Sequence, residues 1–169
     1  SAPARLRQDQ TLKFTDDLKT KFKHRKVVIL GDLVADQFLR GTIARVSREA
    51  PVFILRHDDT ETLGGGAANA AVNVSSLGGN AVCVGFTGTD ASGDALRDAL
   101  SARGVDCSFV ISSNDLQTTT KVRVLAAQHY AQRQQVIRID YENQNPVSPA
   151  LRGELKANLI AAAADADAI

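Results

Sequence analysis

Leu63–Gly79 reads LGGGAANAAVNVSSLGG. Three consecutive glycines lead into an alanine-rich run, and a glycine pair follows it. Glycine just past an apolar periodic stretch is a helix stop, so the pattern predicts a helix over Ala67–Leu77, opened by Gly64–Gly66 and closed by Gly78-Gly79. Bare glycines let backbone approach a ligand with no Cβ in the way. Ahead of a helix they also leave N–H groups without intrahelical partners, which suits oxygen-rich ligands.

Working outward, Lys26–Leu30 (KVVIL) is a short apolar run that ends at Gly31-Asp32, the pattern of a buried strand and a turn. On the other side, Ala81–Phe86 predicts a second buried strand. Asp90–Arg103 predicts a second helix stopped by Gly104, and Val105–Ile111 a third strand. Alternating strands and helices with short connections argue for an α/β fold, a parallel sheet flanked by helices. Segments 41–56 and 118–140 do not fit that alternation. The first predicts two short strands around Ser47–Pro51. The second predicts Thr118–Leu125 and Gln135–Asp140, paired as a hairpin. They are assigned to a small accessory β-sheet, a flap beside the body, with a ligand cleft between. Pro149–Ala164 predicts a third helix. Residues 1–24 predict an amphipathic helix, with Leu6, Phe14, Leu18 and Phe22 at helical spacing.

The glycine loop has three competing readings. A dinucleotide fingerprint needs G-x-G-x-x-G after a buried strand; here Asn69 stands at the third glycine, and Asp58–Glu61 is no buried strand. A P-loop needs G-x-x-x-x-G-K-[ST]. Gly88–Gly93 has the glycine spacing, but Asp94 replaces the lysine and would repel phosphate. The third reading is a tight turn with close helix packing. Asn69 argues for something more, because a carboxamide in the first helical turn, beside bare backbone amides, suits hydroxyl groups that both donate and accept.

Composition narrows the partners. The chain has 169 residues and a net charge of +1, so charge gives no reason to expect nucleic acid or an anionic membrane. No run is long and apolar enough to span a bilayer, and the first residues lack the apolar core of a signal peptide. Cys83 and Cys107 make no disulfide framework, so a cytoplasmic location is expected. His24, His57 and His129 have no metal-ligand spacing, and no metal site is predicted.

Several motifs occur in order: Val27–Gly41 (VVILGDLVADQFLRG), the glycine loop itself, and Val84–Leu96 (VGFTGTDASGDAL). To these add Arg45–Val52 (RVSREAPV), Thr118–Arg123 (TTTKVR) and Gln134–Asp140 (QQVIRID). Over about residues 25–169 the chain resembles the N-terminal part of ribokinase-like (PfkB-type) carbohydrate kinases. Within that family it is most similar to the branch that phosphorylates D-glycero-D-manno-heptose 7-phosphate at C1, in lipopolysaccharide-core and ADP-heptose synthesis.

The resemblance implies a site. The family holds sugar hydroxyls with the glycine loop and its asparagine, here Gly64, Gly65, Gly66 and Asn69, and with an aspartate after the first strand. Asp36 matches that aspartate; Asp32 is a second candidate, with a turn or cap role as its alternative. A heptose phosphate also needs a cation, for which Arg45, Lys121 and Arg123 are the candidates, each otherwise a solvated strand-edge charge. The resemblance further implies ATP with Mg²⁺ and a homodimer formed through the flap. It places the catalytic aspartate in a Gly-Ala-Gly-Asp turn, expected beyond residue 169, with most of the nucleotide pocket. The chain is therefore expected to be C-terminally truncated relative to the family and inactive alone. The rival expectations are a kinase of fructose, ribose or a nucleoside, or a non-catalytic sugar-phosphate-binding or dimerisation module. Val34, where ribokinases carry a sugar-binding asparagine, disfavours ribose.

Overall fold

The structure is a computed structural model and describes residue 16 and residues 20–127, 132–144 and 146–169. Chain order is β1 (Lys26–Leu30), β2 (Leu33–Val46), β3 (Phe53–Gly66), α1 (Ala67–Ser76), β4 (Asn80–Gly88), α2 (Ala91–Ser101), β5 (Asp106–Ser113), β6 (Thr120–Ala127), β7 (Gln134–Tyr141) and α3 (Pro149–Ala163). Most of the predicted N-terminal helix, Leu6, Phe14 and Leu18 included, lies outside the described residues, as does His129.

Strands β1, β4 and β5 form a parallel sheet in the order β1-β4-β5. Strand β4 is apolar on both faces because both are covered. Ala81 and Cys83 face a core built with Ala68 and Ala71 of α1 and Leu96 and Leu100 of α2. Val82 and Val84 face the other way, onto Leu155, Leu159 and Ala162 of α3. Leu96 and Leu100 are fully buried, which stabilises the fold by roughly 1.5–3 kcal/mol each. After α3 the chain runs beside β1: Val28 N–H donates to the Ala168 carbonyl at 2.9 Å, and the Asp167 carboxylate accepts from the Lys26 N–H and from Arg25, both at 2.8 Å. Among the described residues no helix is long and apolar enough to cross a membrane.

The second sheet has four strands in the order β3-β2-β6-β7. Its extent differs from the sequence reading. Segment 41–56 predicts two short strands; β2 and β3 are 14 residues each, and β2 begins at Leu33, directly after β1. The stretch Asp58–Glu61 lies within β3 and is exposed. Gly64–Gly66 ends β3, and the helix starts at Ala67. The reason is that one face of this sheet is charged. Ion pairs between neighbouring strands satisfy Asp36, Arg40, Asp59 and Glu61, so the segments lack the apolar alternation by which strands are recognised. The β6–β7 hairpin forms antiparallel as expected, and β6 also pairs parallel with β2, with Asp36 opposite Lys121.

Candidate functional site

Each of the three glycines in the loop has its own structural reason. A Cβ on Gly64 would stand 2.9 Å from Cβ of Ala68, so this position lets α1 close onto β3. Gly66 has φ +57, a conformation L side chains rarely adopt, and a Cβ there would meet the Asp32 carbonyl oxygen at 2.6 Å. That carbonyl accepts from Ala67 N–H at 3.0 Å and so finishes the helix start from outside. Gly65 is different. What a Cβ would meet there is the Asp36 carboxylate, with Oδ2 2.5 Å away. The packing explanation therefore covers Gly64 and Gly66, while Gly65 makes room for a charged side chain.

Helix α1 has no side-chain cap, whereas α2 is capped by Asp90, accepting from Gly93 N–H, and α3 by Ser148, accepting from Leu151 N–H. In α1 the Asp32 carbonyl takes the Ala67 N–H in place of a side chain, which leaves the positive dipole end without a side-chain cap. The P-loop-like Gly88–Gly93 is occupied by its own packing. A Cβ on Gly93 would run into the Gly88 carbonyl oxygen, and one on Gly88 would meet Asp90 Oδ2 at 2.5 Å. Burial pushes the Asp90 carboxyl up. The N–H groups of Thr118 and Gly93 and the Thr118 hydroxyl outweigh this and hold it below the usual carboxylate range. This turn is a built anchor for α2, with a carboxylate where a phosphate would have to sit.

Asp36 is partly buried, and Arg123 on β6 donates to its Oδ1 through Nε at 3.1 Å and Nη2 at 3.0 Å. Lys121, in register with Asp36, pairs with Asp140 on β7 at 3.4 Å, and Arg138 holds the same carboxylate at 2.9 Å. Burial pushes Asp140 up, but Arg138 and Lys121 prevail and lower it. Phe38, unremarked in the sequence, lies on this face between two guanidinium groups, Arg123 at 5.9 Å and Arg40 at 6.0 Å from its ring centre. The period-two series Asp36, Phe38, Arg40 is the signal that points to it.

The remaining candidates lie elsewhere around the loop. Asp32 is exposed and borders a pocket at the ends of β1 and β4, with Thr87, Gln117, Thr119 and Asn143. Its volume is about 90 Å³, room for a few waters rather than a whole sugar. Asn143 frames it by accepting from Gln117 N–H at 2.7 Å and donating to the Gln117 carbonyl at 2.8 Å. Asn69 and Gly64 line a larger groove of about 480 Å³ between β3, α1 and α2, and no hydrogen bond joins Asn69 to Asp36. Arg45 is exposed near the far end of β2, roughly 30 Å of extended strand from Asp36, too far for one small ligand to touch both. The structure thus brings together Asp36, Gly65 and Arg123, with Lys121 adjacent. It puts Asp32, Gly66 and Asn69 around the same helix start and leaves Arg45 apart. Among the described residues no three His, Cys, Asp or Glu side chains converge as a metal cage.

Residues 24–163 match the pfkB family carbohydrate kinases. Among curated proteins, the chain is 38% identical over 135 residues to the bifunctional protein HldE of Gluconobacter oxydans, covering 79% of this chain and 27% of that protein. It is 44% identical over 126 residues to the bifunctional protein HldE of Halorhodospira halophila, covering 74% and 25%. The chain spans about a quarter of the length of these relatives. Among solved structures, a carbohydrate kinase from Agrobacterium tumefaciens aligns with TM-score 0.54 at 24% identity, over 69% of this chain and 35% of that one. The protein described as Sa239 aligns with TM-score 0.57 at 23% identity, over 85% and 44%. These two likenesses concern the fold, which is that of ribokinase-like carbohydrate kinases.

Proposed function

The chain belongs to the pfkB family of carbohydrate kinases, and on that premise we propose that it forms the acceptor-sugar side of an ATP-dependent kinase. The observation that carries the proposal is the Asp36 carboxylate lying over Gly65, next to an uncapped helix start. A carboxylate oxygen accepts from sugar hydroxyls, and the positive end of a helix without a side-chain cap favours oxygen-rich ligands. Asp36, Gly65, Gly66 and Asn69 are the proposed sugar contacts, with Asp32 as a further candidate on the other side of the helix start.

The proposed acceptor is D-glycero-D-manno-heptose 7-phosphate, phosphorylated at C1 within lipopolysaccharide-core synthesis. Support comes from the motifs around Thr118–Arg123 and Gln134–Asp140 and from the relatives named HldE. Lys121 is the proposed cation for the 7-phosphate. ATP enters as its magnesium complex, a co-substrate. The apolar residues exposed on β7, Val136, Ile137 and Ile139, support a homodimer through this sheet.

A thermal-shift screen of sugar phosphates against the full-length protein tests the acceptor. Selective stabilisation by the heptose 7-phosphate is expected. Equal or stronger stabilisation by fructose, ribose or a nucleoside would replace that acceptor with another.

A further inference from the structure

We propose that Arg123 is a positioning residue that aims one oxygen of Asp36 at the acceptor, rather than a ligand of the acceptor's phosphate. The assignment rests on the sugar-kinase reading and divides the labour between Arg123, which pairs with Asp36, and Lys121, which stands opposite Asp36 in register.

The two oxygens of Asp36 have different neighbours. Arg123 occupies Oδ1 with two donors, at 3.1 and 3.0 Å. The other oxygen, Oδ2, is the atom that lies over Gly65. Two donors on one oxygen restrain the carboxylate and leave Oδ2 on the side of the glycine loop. A carboxylate so held accepts sugar hydroxyls through a single, oriented oxygen.

The surroundings make Arg123 poorly suited to leave. It sits opposite Phe38 in the β2–β6 register, and its guanidinium lies 5.9 Å from the ring centre. Arg40 flanks the same ring at 6.0 Å and is itself tied to Asp59 and Glu61. If Arg123 turned to a phosphate, Asp36 would keep its charge in a partly buried place with no cation in contact, a costly arrangement. Lys121 differs on each count. Its bond to Asp140 is long, 3.4 Å, and Arg138 still holds Asp140 at 2.9 Å if Lys121 departs. Lys121 is a single ammonium on a flexible stem, free to reorient; Arg123 is a planar fork already matched to a carboxylate.

The test measures affinity of the full-length protein for D-glycero-D-manno-heptose 7-phosphate and for the same heptose without phosphate, in wild type, Arg123→Lys, Lys121→Gln, Asp36→Asn and the Arg123→Lys/Asp36→Asn double variant. Arg123→Lys keeps the charge and loses the two-donor grip. It is expected to weaken both ligands by the same factor, about tenfold or more, and to add almost nothing in the Asp36→Asn background. Lys121→Gln is expected to weaken only the phosphorylated ligand. Loss of affinity for the phosphorylated ligand alone in Arg123→Lys, or full additivity with Asp36→Asn, would overturn the assignment while leaving the kinase reading intact. Failure of the wild-type protein to bind either ligand would overturn the heptose-phosphate acceptor and this assignment together. Unchanged near-ultraviolet circular dichroism separates these effects from misfolding.

Discussion

Gly65 and Asp36 share one volume: the carboxylate oxygen Oδ2 lies 2.5 Å from where a side chain on Gly65 would begin. Neither residue can change without the other noticing. Gly65→Ala is therefore expected to displace the carboxylate rather than the backbone, because the obstructing atom is the end of a side chain. Acceptor affinity should fall by about tenfold or more, the scale of one hydrogen bond to a charged group. The melting temperature should drop by only a few degrees, as for a loss of about 1 kcal/mol. Paired titration calorimetry and thermal unfolding check this; a large stability loss with affinity retained would contradict it.

Gly93 makes the opposite case. The atom in the way of a Cβ there is the Gly88 backbone carbonyl oxygen, with the Thr118 hydroxyl at 2.7 Å. Backbone does not step aside cheaply, so Gly93→Ala is expected to destabilise by about 1–3 kcal/mol in urea unfolding. A neutral result would mean that the turn at Gly88–Gly93 is looser than its packing implies.

Asp90 carries a pH signature. Its carboxyl is subject to burial, which raises it, and to the Thr118 and Gly93 N–H groups, which lower it further than burial raises it. The folded value lies below the unfolded one. The stabilisation is thus complete above about pH 4, the unfolded value, and is lost as pH falls through the folded value. Asp90→Asn keeps the cap to Gly93 N–H but sets its NH2 group against Thr118 N–H, which Asp90 Oδ2 accepts. It is expected to cost roughly 1–3 kcal/mol at pH 7, with the difference from wild type shrinking toward pH 3. Denaturation midpoints measured from pH 7 to pH 3 give the comparison, and a gap that widens in acid would show the sign to be wrong.

Cys83 is fully buried in the parallel sheet, and burial pushes its thiol up to about 12. Thiol-reactive dye at pH 8 should leave Cys83 unlabelled until the protein unfolds, since the thiolate is the reactive form. Rapid labelling of Cys83 in the folded protein would contradict the core as described.

The sequence patterns that worked were those of the body. Lys26–Leu30 and Ala81–Phe86 are continuous apolar runs because both faces of their sheet are covered, and Gly78 and Gly104, both at positive φ, mark helix ends. The flap was half legible. Strand β2 hides in DQFLR because its polar face is satisfied by Arg123, Asp59 and Glu61 from neighbouring strands, partners that no local window contains. The glycine loop was legible as a place of close approach. What local sequence could not supply was the identity of the approaching atoms: Ala68 at Gly64, Asp36 at Gly65, the Asp32 carbonyl at Gly66. Arg45 and Arg123 looked equivalent as cations; a strand's length separates them in space.

Asp36, held over Gly65, is the proposed receiver of the acceptor sugar. The most direct test is titration of the full-length wild-type protein and of Asp36→Asn with D-glycero-D-manno-heptose 7-phosphate, both checked for equal folding. The wild type is expected to bind, and Asp36→Asn to bind at least about tenfold more weakly. Equal affinity in the two proteins would contradict it.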